Sequence, residues 1–227
     1  MQFSILFLLL APLAASFPLS LPALLSRALT DTTQNNLIDG TACKEITVLF
    51  ARGTDSPGNV GSSTGPPWFQ AIASLVGTSN IAVQGIAYPA SIIGFLEGGD
   101  DAGSILLANY TARAMTQCPS TKVVMSGYSQ GGQLVHKAAK MLSASVAAKV
   151  SSVLIFGDPL NGTAVAQIPS SKVKIYAEDA PAAAAFVVAA AGLRGRNERG
   201  KGRAELNRMG GSELNSSSDG RERIAPG

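Results

Sequence analysis

Apolar positions in this chain gather into short, nearly continuous runs, separated by longer stretches with helical spacing. Glu45-Ile-Thr-Val-Leu-Phe-Ala51 is one such run, closed by Arg52-Gly53. A strand that is apolar on both sides of its pleat belongs inside a parallel sheet covered on both faces. A Gly/Ser/Pro loop follows from Thr54 to Pro67, then an amphipathic helix over 68–76. Residues 80–87 form a second strand pattern. The apolar stretch Tyr88-Pro-Ala-Ser-Ile-Ile-Gly-Phe-Leu96 is broken by Pro and Gly and is expected to cross the surface as a loop. Residues 101–116 have a helical period that ends near Cys118-Pro119. Lys122-Val-Val-Met125 is a strand, 133–142 a helix, and 150–156 and 172–176 two further strands.

Strands alternating with helices over this length predict βαβ units. The expected fold class is α/β, a three-layer α/β/α sandwich around a central, mostly parallel sheet. Met1–Ser16 is an apolar run ending in small residues, with Ala14 and Ser16 at the −3 and −1 positions of a secretory cleavage site. It is too short to span a bilayer comfortably, and no second run follows. The mature protein is therefore expected outside the cell, soluble and monomeric. Residues 17–40 are expected to be a propeptide or loosely docked arm, and 41–191 the folded domain. Residues 192–227, rich in Gly, Arg, Ser and Glu, are expected to be a disordered tail.

The net charge of +3 changes little in this picture. From Gly192 onward there are eight Arg/Lys against five Asp/Glu, and the rest of the chain holds ten of each. The excess lies in the tail, so nothing in the body points to nucleic acid. One histidine and no Cys-x-x-Cys leave too few ligands for a metal, and no cofactor is expected. Two cysteines, an even count in a secreted chain, favour one disulfide over two buried thiols. Asn109-Tyr-Thr111, Asn161-Gly-Thr163 and Asn215-Ser-Ser217 are sequons that can accept glycans.

The chemistry concentrates at Gly127-Tyr128-Ser129-Gln130-Gly131, between a strand and a helix. G-x-S-x-G in that setting is the nucleophile elbow, which exposes a serine on a sharp turn at the top of a sheet. The serine then needs a base, a carboxylate to orient that base, and donors for the oxyanion. The amide of Gln130 supplies one donor, and Thr54, just after Ala51-Arg52-Gly53, is placed to supply a second.

With Val48-Leu-Phe-Ala-Arg-Gly-Thr54, the cysteine positions, the elbow and Phe156-Gly-Asp-Pro159, the chain resembles the fungal cutinases and the related acetylxylan esterases. The resemblance covers roughly residues 40–176. It implies a secreted serine esterase acting on cutin-like polyesters or smaller esters. Ser129 is then the nucleophile, Thr54 and Gln130 form the oxyanion hole, and Cys43 pairs with Cys118.

The chain then departs from the family pattern. In that family an Asp between two further cysteines follows the last strand, and a His lies before the last helix. Here Tyr176 leads directly into 177–188, which itself resembles that helix. His136, the sole histidine, is seven residues after Ser129 on one helix, about 10 Å along its axis. It is expected to be a satisfied helix residue rather than the base. Glu178 and Asp179 lie where catalysts gather in such sheets, but a carboxylate without histidine is a weak base for serine. Asp158 is expected in a turn. Three readings stay open: a working esterase, a binding protein that keeps the fold without its triad, and a chain that has lost an exon. An acetylxylan esterase is the close variant of the first.

Overall fold

The structure is a computed structural model that describes residues 28–40, 43–177 and 180–193. The expectations for residues 1–16, for 17–27 of the arm, for Glu178, Asp179, the Asn215 sequon and nearly all of the tail lie outside these residues.

Five strands form one parallel sheet: β1 (Ile46–Ala51), β2 (Ile81–Gly85), β3 (Lys122–Tyr128), β4 (Ser152–Phe156) and β5 (Val173–Tyr176), in spatial order β2-β1-β3-β4-β5. Among the described residues six helices cover it: α1 (Gly65–Val76), α2 (Ile92–Leu96), α3 (Asp101–Gln117), α4 (Gln130–Met141), α5 (Ala144–Lys149) and α6 (Ala180–Ala190). The three central strands are buried along almost their whole length, as continuous apolar runs demand.

The pleat divides those runs between two cores. Leu49, Met125, Val153 and Ile155 face one layer, packed under Leu107 of α3 and Leu134 and Ala138 of α4. Val48, Phe50, Val124, Leu154 and Phe156 face the other, under α1 and α6. That second core centres on Phe50, Trp68, Phe69 and Phe156, whose ring centroids lie 5.3 to 6.0 Å apart. The α/β sandwich expected from the alternation of elements is therefore the fold, with helices on both faces.

One short helix differs from the sequence expectation, and a second lies where the sequence pattern offers no expectation. Residues 92–96 form α2 rather than loop, because Ser91 caps the turn by accepting the Gly94 N–H. Ser143 likewise caps α5 by accepting the Val146 N–H. Neither helix is long enough to have a readable period.

Cys43 and Cys118 form a disulfide just ahead of β1 and β3. Within 28–40, Gln34 is fully buried, and its backbone N–H donates to Asn59 Oδ1. The Leu37 and Ile38 amides donate to Gln84 Oε1, so this segment packs along the β2 edge. No helix among the described residues is long and apolar enough to cross a membrane.

Candidate active site

Ser129 joins β3 to α4 with φ 52° and ψ −116°. This is a backbone region that a residue with a Cβ seldom occupies. Its amide donates to Phe156 O at 2.9 Å and its carbonyl accepts from Gly132 N–H at 2.8 Å, which fixes the turn between β4 and α4.

The two glycines of the motif are required by close approach. A Cβ on Gly127 would lie 2.2 Å from Gly131 O, and one on Gly131 would lie 2.0 Å from Ala51 O. The elbow is thus wedged against the end of β1, where the Thr54 loop begins. Gly131→Ala is expected to cost about 3 kcal/mol, even though alanine is favoured over glycine in a helix by about 1 kcal/mol. The melting temperature falls by about 6–12 °C. Gly98→Ala is the control: it has φ 78° and nothing within 4 Å of its Cβ, so only backbone strain of about 1–2 kcal/mol acts there. Equal shifts in the two variants would show that the wedge is loose.

A clasp that sequence reasoning missed holds the Thr54 loop. Arg52 Nε donates to Ser56 O at 2.7 Å and Nη2 to Tyr88 O at 2.7 Å. Tyr88 Oη donates back to Arg52 O at 2.5 Å, and the guanidinium lies 4.9 Å from the Tyr88 ring centroid. Burial pushes the Tyr88 phenol well above its ordinary pKa, which keeps the donating proton in place. Asp55 N–H donates to Ala90 O at 2.9 Å. The loop after β1 and the segment leading to α2 therefore form one wall.

That wall extends over α2 to α4. Gln130 Nε2 donates to Ser91 O at 2.6 Å and Gln133 Nε2 to Phe95 O at 3.2 Å. Outward from these bonds, α2 exposes Ile92 (61%), Ile93 (68%) and Leu96 (76%).

His136 is buried, and its Nε2 is 2.9 Å from Asp158 Oδ2. Asp158 also accepts from Leu160 N–H, so it is both the expected turn residue and a partner that its separation of 22 residues had hidden. The only imidazole in the 227 residues is thus paired with Asp158. Among the described residues no carboxylate or imidazole is hydrogen-bonded to the Ser129 hydroxyl. No group of three His, Cys, Asp or Glu among them is placed to hold a metal.

The family model described as Cutinase matches residues 42–213. The chain belongs to the cutinase family. Its relatives include the cutinase of Botryotinia fuckeliana, 45% identical over 177 residues that cover 69% of this chain and 88% of that protein. Cutinase pbc1 of Pyrenopeziza brassicae is 53% identical over 133 residues, covering 59% of this chain and 66% of that one. A solved structure of Trichoderma reesei cutinase with a C11Y4 phosphonate inhibitor superposes with a TM-score of 0.65 at 37% identity. It covers 71% of this chain and 81% of that chain. Cutinases are carboxylic ester hydrolases, and this chain is a cutinase-like esterase by family.

The match to the Botryotinia cutinase contains a gap. It spans 177 positions, yet 69% of 227 residues is about 157, so about 20 positions of the relative have no counterpart here. The Pyrenopeziza match has no such deficit, since 59% of 227 is about 134 residues against 133 aligned.

Proposed function

We propose that the site around Ser129 is that of a secreted serine esterase acting on cutin-like polyesters, and that this chain holds it without its acid–base pair. In a complete site Ser129 Oγ would attack the ester carbonyl while a base took its proton, and the oxyanion would face the Gln130 N–H and Thr54. That base would return the proton to the departing alcohol, leaving an acyl-enzyme on Ser129 for water to cleave; without it, this chain retains only the oxyanion donors and the binding surface. The exposed Ile92, Ile93 and Leu96 offer the acyl chain an apolar surface beside the serine. An acetyl group would make little use of that surface, which favours a cutinase over an acetylxylan esterase.

The observation that carries the reading is Ser129 itself, held at positive φ between two glycines that admit no Cβ. The second reading, a fold that binds without turnover, is favoured by the gap of about 20 positions. We place that gap after Tyr176: Cys43–Tyr176 is long enough to hold the gap-free Pyrenopeziza match, and β5 is separated from α6 by only three residues. The Asp and His that the family carries between its last strand and last helix would be lost with that segment.

Hydrolysis of p-nitrophenyl butyrate by the parent chain and by Ser129→Ala tests this. Triad members act as a unit, so removing the serine after the base is gone costs little more. The expected drop is less than about tenfold, from a rate of about 10³ over water that oxyanion donors and binding alone can sustain. A drop of about 10⁴-fold or more would reveal a base and restore the working-esterase reading for the chain as it stands.

A further inference from the structure

We propose that Asn161 carries an N-linked glycan whose first sugar covers the apolar groove beside β5. This rests on the secretion proposed above. Asn161, Gly162 and Thr163 are all exposed, in the turn that follows β4. That turn is held by Asn161 N–H donating to Asp158 O and Thr163 N–H to Leu160 O, so the acceptor amide and the threonine hydroxyl project from a fixed backbone. Gly162 has φ 93°, and nothing lies within 4 Å of where its Cβ would be. The backbone beside the acceptor is therefore open to solvent.

Beneath the turn lies a groove of about 390 Å³ with Asn161 on its rim and Val165, Ile168, Val173 and Ile175 in its lining. Its floor belongs to β5, the edge strand of the sheet. Val165 and Ile168 are buried, but Val173 and Ile175 on the open sheet edge are only half-buried, and such partly uncovered apolar surface invites association between chains. An N-acetylglucosamine ring has an apolar face that fits such a floor and a polar face for solvent, and it is tethered at the rim.

The sequon at Asn109 is placed differently. Asn109 is exposed on α3, but the hydroxyl of Thr111 is buried and donates to Leu107 O at 2.8 Å. The folded chain thus presents a complete acceptor at Asn161 and only half of one at Asn109.

The transfer requires a lipid-linked oligosaccharide diphosphate as donor. The Asn161 side-chain nitrogen bonds to C1 of the first sugar, the C1–O bond to the diphosphate breaks, the amide loses one proton, and the lipid diphosphate leaves.

Secretion of the full chain from a yeast host, followed by peptide mass mapping with and without peptide N-glycosidase, tests the site. The expected result is a glycan mass on the peptide containing Asn161, lost on enzyme treatment with conversion of that residue to Asp. Asn161→Gln and Thr163→Ala lose the mass and Thr163→Ser keeps it. The deglycosylated protein is expected to bind more anilinonaphthalene sulfonate than the glycosylated one. A secreted chain with unmodified Asn161 overturns the site while leaving secretion intact. A chain that stays inside the cell with residues 1–16 uncleaved overturns the secretion on which it rests. Should Asn161→Gln not accumulate, mapping of the parent chain still decides occupancy. Equal dye binding by the two forms overturns the covering of the groove.

Discussion

Inserting after Tyr176 the segment that joins the last strand to the last helix in the Botryotinia cutinase is expected to raise p-nitrophenyl butyrate hydrolysis by about 10⁴-fold or more. The size follows from what an incomplete serine hydrolase retains. Oxyanion donors and binding leave about 10³–10⁴ over water, whereas losing the triad as a unit costs about 10⁶. The described framework that such a segment must serve is already built. Ser129 is held at positive φ, the Gln130 amide opens α4, and the Arg52–Tyr88 clasp fixes the Thr54 loop. On the function proposed above, no new nucleophile or oxyanion donor has to be made. In the restored chain Ser129→Ala should remove the entire gain. The rate should also fall as pH drops through about 6.5, where an unperturbed histidine gains the proton that disqualifies it as base. A folded, disulfide-bonded chain that shows no gain in rate would overturn the proposal that an acid–base segment is missing after Tyr176.

The parts of this framework legible in the sequence are those that local rules decide. Glu45–Ala51 reads as a doubly buried strand because both faces of its pleat are apolar, and the structure buries each face in a separate core. The elbow was legible because Gly127, Ser129 and Gly131 meet a steric demand at fixed spacing. What stayed hidden depends on distant pairs. The partner of His136 lies 22 residues on and doubles as a turn residue, so its local role masked the other one. Arg52 and Tyr88 are 36 residues apart, and each serves chiefly to grip the other's backbone, which leaves no pattern in the sequence. α2 has five residues with Gly94 at its centre, so a single capping serine decides it rather than any period.

Replacing Cys43 and Cys118 together by serine is expected to destabilise the domain by about 4.5 kcal/mol. The two cysteines are 75 residues apart, and in the chain-entropy account a loop of that length restricts the unfolded chain by about this amount. The native state meets the cross-link without rearrangement. β1 and β3 are already paired in parallel with Ile46 opposite Lys122, and the cysteines precede these residues by three and four positions. The loop so closed holds β1, α1, β2, α2 and α3, which carry most of the aromatic core and part of the other. Melting should fall by about 9–18 °C in the double variant, and reductant should lower the parent to the same value while leaving the variant unmoved. A parent indifferent to reductant would mean that the bridge either does not form or closes a loop already compact when unfolded. With domain stabilities of about 5–15 kcal/mol, a loss of about 4.5 leaves a small margin. That margin is one physical reason for such a chain to fold where thiols oxidise, since in a reducing compartment the same sequence would spend far more of its time open.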